Sequence, residues 1–123
     1  MEALYYKKTD DTPSIILDPS SNTFEIAYRS LPEDANGFYE PVLKWLSEFY
    51  ESAPQKVNFT FFFEYFNTSS AKQIAKILLF LEKLSHKSDV VVLWKYTNND
   101  ADMLATGVRY SKSLTLNFEF LPV

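Results

Sequence analysis

The stretch that decides the fold is VNFTFFFEYFNTSSAKQIAKILLFLEKL, which runs from Val57 to Leu84. Its first half reads as a buried β-strand, in which one face carries the apolar side chains Val57, Phe59, Phe61, Phe63 and Tyr65. Phe62 lies on the opposite face, so we expect both sides of this strand to be covered by helices. Its second half has apolar residues at helical spacing and predicts an amphipathic helix from about Ala71 to Leu84.

Three hydroxyl residues, Thr68, Ser69 and Ser70, lie where this strand gives way to the helix. Asn67 or Thr68 can cap the helix, because a short side-chain oxygen reaches a backbone N–H group two or three residues further on. The start of a helix also favours negative charge. A phosphate on any of the three hydroxyls is stabilised by the same groups.

The rest of the chain supplies alternating strands and helices. Three short strands are predicted before residue 31, at residues 4–8, 14–17 and 24–29. A helix follows that either begins near Gly37 or is kinked at Pro41. After the central stretch come a continuous apolar strand over residues 89–96, a third helix after Asp100 and a last strand over residues 114–120. The predicted order βββαβαβαβ indicates an α/β domain with a mixed, mostly parallel sheet.

Composition sets limits on the class of protein. The 123 residues fit a single domain over residues 1–123, and 46% hydrophobic content is enough for a core. The net charge of −4 argues against a nucleic-acid partner. There is no cysteine, which rules out disulfides and thiol chemistry. No signal-peptide pattern or apolar membrane span is evident, so the expected location is the cytoplasm, with no membrane partner.

The residues offer little for catalysis. His86 is the single histidine, so neither a Ser-His-Asp triad nor a multi-histidine metal site can be built. The acidic candidates are Glu64 beside the junction, the Asp10–Asp11 turn, and Asp100 with Asp102 after Asn98 and Asn99. Helix capping and solvated loops explain these acids more simply than a metal site. We expect no catalytic residue, no metal and no cofactor.

Several blocks of the sequence carry a family resemblance. They are TPSIILDP from Thr12, LPEDANGFYEPVLKWL from Leu31, FEYFNTSSAK from Phe63 and WKYTNNDADML from Trp94. Together they resemble the SiaC family of bacterial regulatory phosphoproteins over nearly the whole chain. The block around Asn67-Thr68-Ser69-Ser70 is the most specific part of the likeness.

The resemblance implies a STAS-like fold, of the kind found in anti-sigma-factor antagonists. It also implies that a partner kinase phosphorylates Thr68, that a phosphatase reverses this, and that the unmodified form binds and activates a diguanylate cyclase or another signalling enzyme. The candidate partner contacts are the junction residues Asn67, Ser69 and Ser70, with Lys72, Gln73 and Lys76 on the predicted outward side of the helix.

Two alternatives stay open at the level of sequence. One is a STAS-like domain that senses a nucleotide or other small ligand near the same junction. The other is an enzyme that uses Glu64 or the Asp100 and Asp102 pair, and a single acid without a partner is weak support for it.

Overall fold

The computed structural model describes residues 1–123 and contains one six-stranded sheet. The strands are β1 (Leu4–Tyr6), β2 (Ser14–Asp18), β3 (Thr23–Ser30), β4 (Lys56–Phe66), β5 (Asp89–Tyr96) and β6 (Asn117–Pro122). The helices are α1 (Ala35–Phe49), α2 (Thr68–Leu84) and α3 (Ala101–Lys112), and a short 3-10 turn (Tyr50–Ser52) follows α1. The predicted order of elements and the α/β class are confirmed.

The strands lie side by side in chain order. β1, β2 and β3 form an antiparallel meander, whereas β3, β4, β5 and β6 are parallel. Each parallel pair is joined by one helix, and every crossover moves to the next strand in the same direction. Because such crossovers are right-handed, the three helices pack on the same face of the sheet.

One hydrophobic core fills the space between the sheet and the helices. In β4 the core residues alternate strictly: Val57, Phe59, Phe61 and Phe63 are buried. The opposite face is not covered by a helix, since Asn58 is exposed there and Phe62 is only partly buried. The expectation that both faces of β4 are covered is therefore wrong, because no crossover reverses direction along the sheet.

A β-bulge near the end of β4 changes which side chains face the core. Tyr28 of β3 pairs with Phe63, but the next residue, Arg29, pairs with Tyr65, so that Glu64 is an extra residue. Tyr28 has a positive φ of 82°, an uncommon conformation for a residue other than glycine. Tyr65, predicted to share the face of Phe63, is instead 49% exposed, because the extra residue reverses the alternation.

The remaining differences concern where elements begin and end. Helix α1 begins at Ala35 and runs through Pro41, with the Asp34 carboxylate accepting the N–H of Gly37 at 3.1 Å. Helix α2 begins at Thr68, three residues before the predicted start, and β6 begins at Asn117 rather than Leu114. None of the helices has the length and apolar character that crossing a membrane requires.

Candidate functional site

The junction between β4 and α2 is closed by an asparagine cap. Asn67 has an extended backbone, with φ −86° and ψ 175°, and its Oδ1 accepts the backbone N–H of Ser70 at 2.9 Å. The same oxygen accepts the Ser69 hydroxyl at 3.1 Å. Because Asn67 supplies the cap, Thr68 becomes the first helical residue, and its side chain is exposed.

The three consecutive hydroxyl residues have different surroundings. Thr68 and Ser69 are exposed, whereas Ser70 is fully buried. A kinase or a partner protein can reach the first two in this conformation but not the third. The structure therefore does not support Ser70 as a partner contact, since its side chain points beneath the helix toward β3.

Beneath the junction, Ser70 belongs to a buried chain of hydroxyl groups. Its hydroxyl donates to the Ser30 carbonyl at 3.0 Å and accepts from the Ser30 hydroxyl at 2.8 Å. The Ser30 hydroxyl is also 2.7 Å from the Tyr39 hydroxyl. Because the single proton of Ser30 is used toward Ser70, Tyr39 donates to Ser30. Burial raises the pKa of Tyr39 from 10.0 to about 12, so the phenol keeps its proton into the alkaline range.

This chain of hydroxyls fixes the start of α2 to two other elements. Ser30 is the last residue of β3 and Tyr39 lies in α1. The Ser30 carbonyl also accepts the backbone N–H of Asn67 at 3.1 Å. The exposed Thr68 thus follows a cap residue, Asn67, whose backbone is hydrogen-bonded to Ser30 of β3, and Ser30 is in turn bonded to Tyr39 of α1.

The three candidate residues further along α2 also differ in their exposure to solvent. Lys72 and Lys76 are exposed, as predicted. Gln73 was predicted to face outward, and this is wrong: it is 4% exposed and donates from Nε2 to Asn36 Oδ1 at 2.6 Å. The cause is α1, which packs against this side of α2, so that Gln73 is covered and the structure gives it no contact surface.

A groove opens beside Thr68, between the start of α2 and helix α3. Its volume is about 400 Å³. It is lined by Phe66, Asn67, Thr68 and Ala71 on one side and by Thr106, Arg109 and Tyr110 on the other. Sequence reasoning missed the three α3 residues. Their spacing of three and four residues places them on one helix face, but only the sheet order brings that face beside Thr68.

The acidic candidates have ordinary structural roles. Asp100 caps α3 by accepting the backbone N–H of Met103 at 3.0 Å, and Asp102 lies in the first turn of α3. Glu64 is exposed and lies 3.9 Å from Arg29 in an ion pair. The structure brings Glu64, Asp100 and Asp102 around one depression, yet they do not form a group that could hold a metal ion.

The fold and the junction define a class of protein: a small α/β domain that presents an exposed threonine at the start of a surface helix. The comparisons with known proteins identify the family. The family model for "SiaC family regulatory phosphoprotein" matches residues 6–123, so the chain belongs to the SiaC family. This confirms the resemblance that the sequence blocks carried.

Solved structures agree with this assignment at the level of the fold. SiaC of Pseudomonas aeruginosa matches with a TM-score of 0.89 and 22% identity, covering 100% of both chains. One chain of the crystal structure of the diguanylate cyclase SiaD in complex with its activator SiaC, also from Pseudomonas aeruginosa, matches with a TM-score of 0.90 and 21% identity. That match covers 98% of this chain and 99% of the other. No match is found among curated proteins.

Proposed function

We propose that this protein is a non-enzymatic regulatory module that binds a partner signalling enzyme, such as a diguanylate cyclase, and that reversible phosphorylation of Thr68 controls the binding. The observation that carries the proposal is the position of Thr68. It is exposed, it is the first residue of α2, and it lies within the Asn-Thr-Ser-Ser block of a regulatory phosphoprotein family.

The surroundings of Thr68 support its role as the phosphoacceptor. A kinase must bring a nucleotide phosphate to the hydroxyl, which requires an exposed side chain. Thr68 and Ser69 meet this condition, whereas Ser70 is fully buried. The hydroxyl of Ser69 already donates to the Asn67 cap, so modifying Ser69 interferes with the cap while modifying Thr68 does not.

The same position explains how a phosphate can act as a switch. Phosphorylation adds about −1.5 to −2 charges at neutral pH. The chain already carries a net charge of −4. A partner surface that fits the neutral Thr68 hydroxyl then has to desolvate a dianion, so we expect phosphorylation to weaken binding. The proposed contact surface consists of the half-buried Asn67 and the exposed Ser69, Lys72 and Lys76, which lie beside Thr68 or follow it along α2.

One of the structural neighbours is a complex in which the diguanylate cyclase SiaD is bound to its activator, SiaC. This supports a cyclase as the class of partner for the present chain. A kinase and a phosphatase that act on Thr68 complete the proposal, and the cytoplasmic location stays a prediction.

The proposal is tested by affinity capture from the native cell with three baits: wild type, Thr68→Glu and Thr68→Gln. Glutamate adds a charge at Thr68, while glutamine has nearly the same shape without the charge. Captured proteins are identified by mass spectrometry, and the candidate partner is purified and assayed for cyclic di-GMP synthesis with and without each bait.

We expect wild type and Thr68→Gln to retain and activate one signalling enzyme that Thr68→Glu does not retain. If the glutamate and glutamine baits retained the same proteins equally well, charge at Thr68 would not control binding.

A further inference from the structure

The groove beside Thr68 has one basic wall. Helix α3 contributes Thr106, Arg109 and Tyr110, which recur at helical spacing and so share one face. The Tyr110 hydroxyl donates to the Ala71 carbonyl at 3.0 Å, which ties this face of α3 to the first turn of α2. The two walls of the groove are therefore held at a fixed separation.

Arg109 is the cation of this groove, and it has no acidic partner. Its Nη2 donates to the Thr106 hydroxyl at 3.1 Å, which holds the guanidinium along the groove wall. The one ion pair within 4.0 Å in this protein joins Arg29 and Glu64, so no carboxylate neutralises Arg109. The positive charge of Arg109 also opposes the rise in the pKa of Tyr110 that burial causes.

We infer that Arg109 binds the phosphate group of phosphorylated Thr68 across this groove. The inference rests on the proposed function and names the intramolecular partner of the modified residue. Both side chains border one groove of about 400 Å³. A guanidinium offers parallel N–H donors that match phosphate oxygens, and it gives up only one exposed hydrogen bond to a neutral hydroxyl.

Among the charged side chains near the groove, Arg109 is the one whose charge and position suit a phosphate on Thr68. Glu64, Asp100 and Asp102 line the adjoining depression, which shares Phe66 and Thr106 with the groove. These carboxylates repel a phosphate. Lys72 lies on the other side of α2, where it lines a depression with Ser69. Arg109 is thus the cation positioned to offset the acidic neighbours.

The test uses protein with phosphothreonine incorporated genetically at position 68, followed by ³¹P NMR during a pH titration. Three versions are compared: the otherwise wild-type chain, Arg109→Gln and Lys72→Gln. A guanidinium in contact favours the dianionic phosphate and lowers the midpoint of its titration. We expect Arg109→Gln to raise that midpoint by about half a pH unit, and Lys72→Gln to raise it by clearly less, although both remove one positive charge.

Equal shifts in the two variants, or no shift in Arg109→Gln, would overturn the inference. Thermal melting of the unphosphorylated variants checks that folding is unchanged, as expected for two exposed side chains. The NMR measurement needs no partner protein or kinase. A failure of the proposed function in cells and a failure of the Arg109 contact are therefore separate results.

Discussion

The three consecutive hydroxyl residues at the start of α2 should respond very differently to alanine. Thr68 and Ser69 are exposed, and surface substitutions of this kind change the free energy of unfolding by less than about 0.5 kcal/mol. Ser70 is fully buried and is bonded to both the hydroxyl and the carbonyl of Ser30. We therefore expect Ser70→Ala alone to destabilise the protein measurably.

The magnitude follows from the partners that remain. Two hydrogen bonds are lost, each with a net value of about 1 kcal/mol. The Ser30 carbonyl keeps the N–H of Asn67, and the Ser30 hydroxyl still accepts from Tyr39, but the Ser30 proton loses its buried acceptor, so the sum of the two bonds is a minimum cost. Alanine regains about 0.5 kcal/mol of helix propensity. The expected loss is about 1–2 kcal/mol, or about 4–8 °C in Tm for a chain of this size.

The assay is urea denaturation of Thr68→Ala, Ser69→Ala and Ser70→Ala in parallel, followed by circular dichroism. The first two variants serve as matched controls, because they remove a hydroxyl from the same helical turn. If Ser70→Ala were as stable as its two neighbours, the buried chain of hydroxyls would not be what holds the start of α2.

Two further predictions concern the parts of the core that support the site. A methyl group added at Gly107 would clash with the indole of the fully buried Trp94. Gly107→Ala should therefore lower the free energy of unfolding by about 1–3 kcal/mol, although alanine has the better helix propensity. A thermal melt that shows greater stability would contradict this packing. The pKa of Tyr39 is raised from 10.0 to about 12, so the folded state holds this proton more tightly than the unfolded chain. This difference contributes about 3 kcal/mol to the free energy of unfolding below pH 10, and the contribution is lost as the pH rises to 12. In urea denaturation between pH 9 and 12, the free energy of unfolding should therefore decline less steeply for Tyr39→Phe than for wild type. Parallel declines in the two proteins would refute this prediction.

The order of elements could be predicted from the sequence, because each element has a strong local signal. The alternation in β4 and the spacing of Ile74, Ile77, Leu78 and Leu81 in α2 depend only on which face is apolar. Asn67 was one of two candidate caps, and its short side chain and extended backbone make it the one that is used.

The features that could not be predicted depend on residues far apart in the chain. Ser70 and Gln73 look like surface residues on a helical projection, yet their partners Ser30 and Asn36 lie 40 and 37 residues away. The bulge at Glu64, which exposes Tyr65, arises from pairing with β3 rather than from any local signal.

The basic wall of the groove was missed for a related reason. Arg109 and Thr68 border the same groove only because β4, β5 and β6 are ordered so that α3 lies beside α2. The predicted cover on both faces of the sheet failed because the direction of each crossover is not encoded in any single element. Sequence alone thus placed the three hydroxyl residues at the junction of β4 and α2 but did not identify the side chains around them.

The most direct test of the central claim is the dissociation constant between this protein and its partner enzyme, measured by calorimetry with unmodified chain and with chain that carries phosphothreonine at position 68. We predict that phosphorylation weakens binding by at least about tenfold, which corresponds to about 1.4 kcal/mol. Dissociation constants that agree within about twofold would show that the charge on Thr68 does not decide which partner this protein binds.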